Sequence, residues 1–238
     1  MNRQSPRDGS AGSIPGRSTW RARGAPVAAA VLALCLIVLT TLVAMGRTSG
    51  LDRWVDEAIP KEGEGPAPLY ALAVAITTVA NPPLTMTVLL TVVALWAIWA
   101  RSPWPVAVAA PAVVALTSTV LAGKWLLARP GPPSSDPVHL FGAYPSGHTA
   151  TALVCSGTLA MLISHRHPQY HRGLVFAATG WTTLVAWSLV WLHFHWLCDV
   201  LGAVLLGALL LVMLDRWLWH LVTTASRNLE ETVRVGRP

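Results

Sequence analysis

The residues of this chain best suited to chemistry are two histidines, each at the edge of an apolar run. The first lies in Ala143-Tyr144-Pro145-Ser146-Gly147-His148-Thr149-Ala150. Ser146 precedes a run of good helix formers and reads as an N-cap, which leaves the backbone N–H groups of Gly147 and His148 directed at whatever lies above the helix start. That position suits a phosphate. The second histidine, His195, is followed four residues later by Asp199, so the two share one face of a helix. Asp199 can accept a hydrogen bond from one ring nitrogen and leave the other unprotonated and nucleophilic. Attack by His195 on phosphorus would give a phosphohistidine, with His148 protonating the departing oxygen. Lys124, Arg129, Ser146 and the Gly147 N–H are the groups available to stabilise charge on the phosphoryl oxygens.

Membrane helices must position these groups. The chain has 238 residues, of which 53% are hydrophobic and only 12% charged, and its mean hydropathy is +0.52, which points to an all-α polytopic membrane protein. Its formal charge of +6 rests on fifteen arginines and two lysines. In a soluble protein such a balance suggests nucleic acid, but here the basic residues flank apolar runs, so topology explains them and no nucleic-acid partner is expected. Cys35 and Cys155 fall inside apolar runs and only Cys198 lies near polar residues, so neither a disulfide framework nor a CxxC metal site is present.

Six spans are expected. Residues 1–24 form a Gly/Ser/Pro/Arg-rich tail expected to be disordered and cytoplasmic. Pro26–Met45 is an apolar run long enough to cross a hydrocarbon core of about 30 Å. Residues 46–66 read as an external loop, and Leu69–Ala80 as a short interfacial or re-entrant helix. Further spans follow at Leu84–Ala100, Val106–Leu127, His148–Ser164, Gly173–Leu192 and Trp196–Trp219, with 220–238 as a cytoplasmic tail. Six crossings with both ends inside put Arg101, Arg166 and Arg172 on the cytoplasmic side and the loop 128–147 outside. His148 and His195 are 47 residues apart, enough for two crossings and a turn, so both return to the outer face. Lys124 and Arg129 reach the same level. Ionisable residues at membrane depth are costly, and several delivered to one level from separate segments indicate a site.

These residues resemble the type 2 phosphatidic acid phosphatase superfamily, whose pattern is Lys-x6-Arg-Pro, then Pro-Ser-Gly-His, then Ser-Arg-x5-His-x3-Asp. Pro145-Ser146-Gly147-His148 matches the second block, Ser188-x6-His195-x3-Asp199 matches the spacing of the third, and Lys124 begins the first. The resemblance spans about residues 65–219. It implies a six-helix membrane phosphatase acting on a lipid phosphate at the extracytoplasmic face, with no metal or other cofactor. By the same resemblance His195 is the nucleophile, Asp199 its orienter and His148 the acid. Two positions depart from the pattern: the first block's arginine is Gly131 and the third block's is Leu189. Arg129 is the natural substitute, with His193 and His139 as further candidates.

Two other functions compete. A phospholipid-binding or scaffold protein without turnover would need neither an acid nor a nucleophile. A metal site at His193, His195, Cys198 and Asp199 would require side chains two apart on a helix to face one another. The head group of the lipid and the oligomeric state are not encoded in these motifs.

Overall fold

Eight α-helices and one short 3-10 turn make up the described chain, and there is no strand among the described residues. The structure is a computed structural model that describes residues 24–61, 64–133 and 141–235, with side chains as far as His220. The expected N-terminal tail and His139 lie outside the described residues, apart from Gly24.

The six long helices match the six expected spans. They are α1 (Ala25–Ala44), α4 (Pro82–Ala100), α5 (Trp104–Leu127), α6 (Gly147–Arg166), α7 (His171–Trp191) and α8 (Leu197–Val235), and all six are long and apolar enough to cross a membrane. The protein is therefore a multi-pass membrane protein. Proline opens α1 and α4, where the missing N–H costs nothing, and Asn81 caps α4 by accepting from Leu84 N–H at 3.5 Å. α8 keeps helical backbone to Val235, so residues 220–235, expected to form a tail, continue the sixth helix.

Two shorter helices lie between α1 and α4. α2 (Ser49–Ala58) occupies the segment expected to be an external loop. Its charged residues hid it from hydrophobic pattern alone, but Leu51, Trp54 and Val55 recur at helical spacing beside Asp52, which is buried. α3 (Ala67–Val79) has 13 residues, about 20 Å of helix, too short to cross. Both of its ends lie near the end of α7. Gly65 sits against the Trp191 ring, and Thr77 shares a hydrogen bond of 2.9 Å with Ser188.

α6 is the most enclosed helix and packs against α4, α5, α7 and α8. One apolar cluster fills that centre, with Leu89 and Val93 from α4, Val108, Leu116 and Val120 from α5, Val154 and Leu162 from α6, and Leu206 and Leu214 from α8. Small residues set the α6–α8 distance, because a Cβ on Gly207 would come within 2.8 Å of Leu153. α1 is the opposite case. Val27, Val31, Leu34, Ile37 and Val38 all point outward, as side chains of a span facing lipid do.

Candidate active site

The site is built where α6 and α8 begin and α5 ends. Ser146 is fully buried and caps α6, its Oγ accepting from Thr149 N–H at 3.5 Å and bonding the Thr149 hydroxyl at 3.2 Å. The Gly147 N–H is left at the open start of the helix. His148 lies in the first turn, one residue on. The two helix starts are joined directly, because Ser146 N–H donates to the Asp199 carbonyl at 3.1 Å.

Lys124 comes up from the last turn of α5. Its stem runs beside the start of α6, where a Cβ on Gly147 would lie 3.9 Å from Lys124 Cε. Its Nζ donates to the Gly142 carbonyl at 2.6 Å. Gly142 has φ +119, and a Cβ there would come within 3.0 Å of Arg129 N, so glycine is required for the loop to close on itself. Closure is completed by Ala143 N–H donating to the Arg129 carbonyl at 2.8 Å.

His195 precedes α8, with its backbone N–H donating to the Leu189 carbonyl at 3.3 Å. Its Nδ1 faces Asp199 Oδ2 at 3.4 Å, and Trp196 N–H donates to the same oxygen at 3.2 Å. His195 is 5% exposed and Asp199 0%. The two side chains meet, but not on one helix face as the four-residue spacing implied, because α8 begins at Leu197 and His195 lies in the turn before it.

Arg129 occupies the middle of the cluster. One arm of its guanidinium pairs with Asp199 Oδ1, the other pairs with Asp52 Oδ2 at 2.5 Å, and its face lies 5.8 Å from the Trp196 ring. Burial alone would lower its pKa, but Asp199 and Asp52 outweigh that and raise it above the ordinary value. It is a permanent cation at the site. A cavity of about 480 Å3 opens beside it, lined by Val43, Ser49, Asp52, Arg53, Arg129 and Trp196 among others.

Asp52 belongs to no recognised motif. It accepts from Cys198 N–H at 2.9 Å as well as from Arg129. Nothing in the sequence sets it apart from the other acidic residues of α2. His193, a candidate for the missing arginine's role, turns away from this cluster, with its Nδ1 at 2.7 Å from Asp56 and its Nε2 at 3.4 Å from the Pro60 carbonyl. Leu189, where the family pattern has arginine, is 1% exposed in an apolar cluster with Ile76, Ala80, Ala152 and Val185. His193, His195, Cys198 and Asp199 do not converge on one point, and the described residues contain no group of three or more His, Cys, Asp or Glu placed to hold a metal ion.

No curated protein matches the sequence. The fold resembles the crystal structure of the first transmembrane PAP2 type phosphatidylglycerolphosphate phosphatase, from Bacillus subtilis, with a TM-score of 0.70 and 18% identity over 79% of this chain and 94% of that one. The sequence profile of the PAP2 superfamily matches residues 107–224, a stretch that holds Lys124, Arg129, the Pro145–His148 motif and the His195–Asp199 pair. The chain belongs to the PAP2 superfamily.

Proposed function

We propose that this membrane lipid phosphatase hydrolyses a phosphate monoester or diphosphate of a lipid through a phosphohistidine on His195. The observation that carries the reading is the buried His195–Asp199 pair, 3.4 Å apart, beside the open start of α6. With Nδ1–H donating to Asp199 Oδ2, Nε2 keeps its lone pair and is the attacking atom. Nε2 forms a bond to phosphorus as the bond from phosphorus to the lipid-side oxygen breaks. His148 gives that oxygen its proton. A water, deprotonated by His148, then attacks phosphorus, the P–N bond breaks, and inorganic phosphate leaves with His195 restored.

Lys124, Arg129, Ser146 and the Gly147 N–H form the cradle for the phosphoryl oxygens. Positive charge and helix-start N–H groups held in a buried setting stabilise the charge that develops there. Arg129 takes the place of the guanidiniums absent at Gly131 and Leu189. No metal has a role in this scheme.

The site faces the extracytoplasmic side. Arg101, beyond the end of α4, Arg166, at the end of α6, and Arg172, at the start of α7, lie at the opposite end of the helices from Lys124, Arg129 and His148, and basic connections stay in the cytoplasm. Both termini are then cytoplasmic. Residues 25–219 act as the phosphatase domain, flanked by 1–24 before it and by the continuation of α8 after it. The substrate has an apolar tail in the bilayer and its phosphate at the interface, as polyprenyl diphosphates, phosphatidate and phosphatidylglycerol phosphate do.

Phosphate release from undecaprenyl diphosphate and phosphatidate by the detergent-solubilised chain, with and without EDTA, tests this reading. EDTA-resistant release that vanishes in His195→Ala is expected. Equal release by wild type and His195→Ala would refute it.

A further inference from the structure

Asp52 is 1% exposed and commits both carboxylate oxygens to the catalytic framework. Oδ1 accepts from Cys198 N–H at 2.9 Å, and Oδ2 pairs with Arg129 Nη2 at 2.5 Å. The other arm of Arg129 pairs with Asp199 Oδ1, and the remaining Asp199 oxygen faces His195 Nδ1 at 3.4 Å. An unbroken series of contacts thus runs from α2, which lies outside the six spans, to His195. The residues it joins are far apart in the chain, Asp52 and Arg129 by 77 positions and Arg129 and Asp199 by 70.

We propose that Asp52 is a positioning residue for phosphoryl transfer, acting through Arg129 on Asp199 and so on His195. A guanidinium held by one carboxylate tends to close a two-pronged pair with it. With Asp52 removed, Arg129 would do so with Asp199, drawing Oδ2 away from His195 and neutralising its charge. With Asp52 present, the fork is split between two carboxylates. The three groups together carry a net negative charge beside the imidazole, and Asp199 Oδ2 stays with His195. Arg129 is held at the site without cancelling the carboxylate that orients the nucleophile. The Cys198 N–H contact fixes Asp52 itself against the start of α8.

This inference rests on reading His195 and Asp199 as the catalytic pair. Its test is steady-state hydrolysis of phosphatidic acid and of undecaprenyl diphosphate in detergent micelles by the full chain. The variants are Asp52→Asn and Asp52→Ser, which lose the charge but keep an acceptor for Cys198 N–H, with His195→Ala alongside. In both Asp52 variants kcat per folded molecule should fall about 10- to 100-fold, as it does for outer partners of an oriented imidazole, with KM unchanged. Wild-type kcat in either variant, or a loss confined to KM, would overturn the proposal. Failure of both to fold would assign Asp52 to the fold alone and overturn it equally. Turnover that persists in His195→Ala would remove the catalytic pair itself, a result distinguishable from the others because it appears with Asp52 intact.

Discussion

Ser146 and Asp199 are joined backbone to backbone, the Ser146 N–H donating to the Asp199 carbonyl at 3.1 Å. Through that one bond the start of α6, proposed to meet the phosphate, is held to the start of α8, which carries Asp199, the proposed partner of the nucleophile. Ser146 also caps α6 through its side chain. Ser146→Ala should keep the backbone bond, cost about 1 kcal/mol of stability for the lost cap, and lower kcat/KM roughly tenfold or more by removing a donor from the cradle. Thermal unfolding in detergent and steady-state kinetics on the same preparation would separate the two effects.

Arg129 pairs with both Asp52 and Asp199, and those carboxylates are 1% and 0% exposed. Arg129→Met takes the guanidinium away from both. Breaking a buried ion pair from one side costs about 3–5 kcal/mol, so the variant should unfold at a clearly lower temperature as well as lose activity. Arg129→Lys keeps the charge but not the fork that reaches two carboxylates, and should fall between the two. A Met variant as stable as wild type would show that the guanidinium does not hold the framework.

Restoring the family's arginine at position 189 should not improve this enzyme. Leu189 is packed among Ile76, Ala152 and Val185, with Trp181, Trp187 and Phe194 around them. Leu189→Arg would bury a charge in this apolar cluster, at several kcal/mol. Reduced folded yield and no gain in phosphate release are expected, and a gain would mean that α7 can turn this position into the site.

Gly202 admits the Tyr144 ring, because a Cβ there would lie 2.5 Å from Tyr144 Cε2 and Oη. The ring is pinned on its other side by a 2.8 Å hydrogen bond between the Tyr144 and Thr40 hydroxyls, which ties the loop to α1. Alanine normally stabilises a helix by up to about 1 kcal/mol over glycine, but overpacking against a fixed ring costs about 1–3. Gly202→Ala should therefore lower the unfolding temperature, and an increase would show that the ring yields.

What the sequence made legible was the chemistry encoded by short spacings. Pro145–His148 reads as a helix start because a serine cap and its helix are adjacent in the chain, and His195 with Asp199 reads as a pair because helices return every four residues. The six spans were legible from apolar length alone. Asp52 was not, because its partners Arg129 and Cys198 lie 77 and 146 residues away, and a carboxylate in a charged segment is usually solvated. The pairing of His193 with Asp56, across 137 residues, was hidden for the same reason. That Leu189 faces an apolar cluster became visible only once α3 was seen against α7, since α3 supplies Ile76.

The most direct test of the central claim is to capture the covalent intermediate. The purified chain would be mixed with phosphatidic acid or undecaprenyl diphosphate labelled on the phosphate that is removed, quenched in base within the first turnover, and the protein-bound label mapped by peptide. Base-stable, acid-labile label on the peptide containing His195, absent in His195→Ala, is the predicted result. Phosphate release with no label on the protein at any quench time, or label on a peptide without His195, would contradict the account.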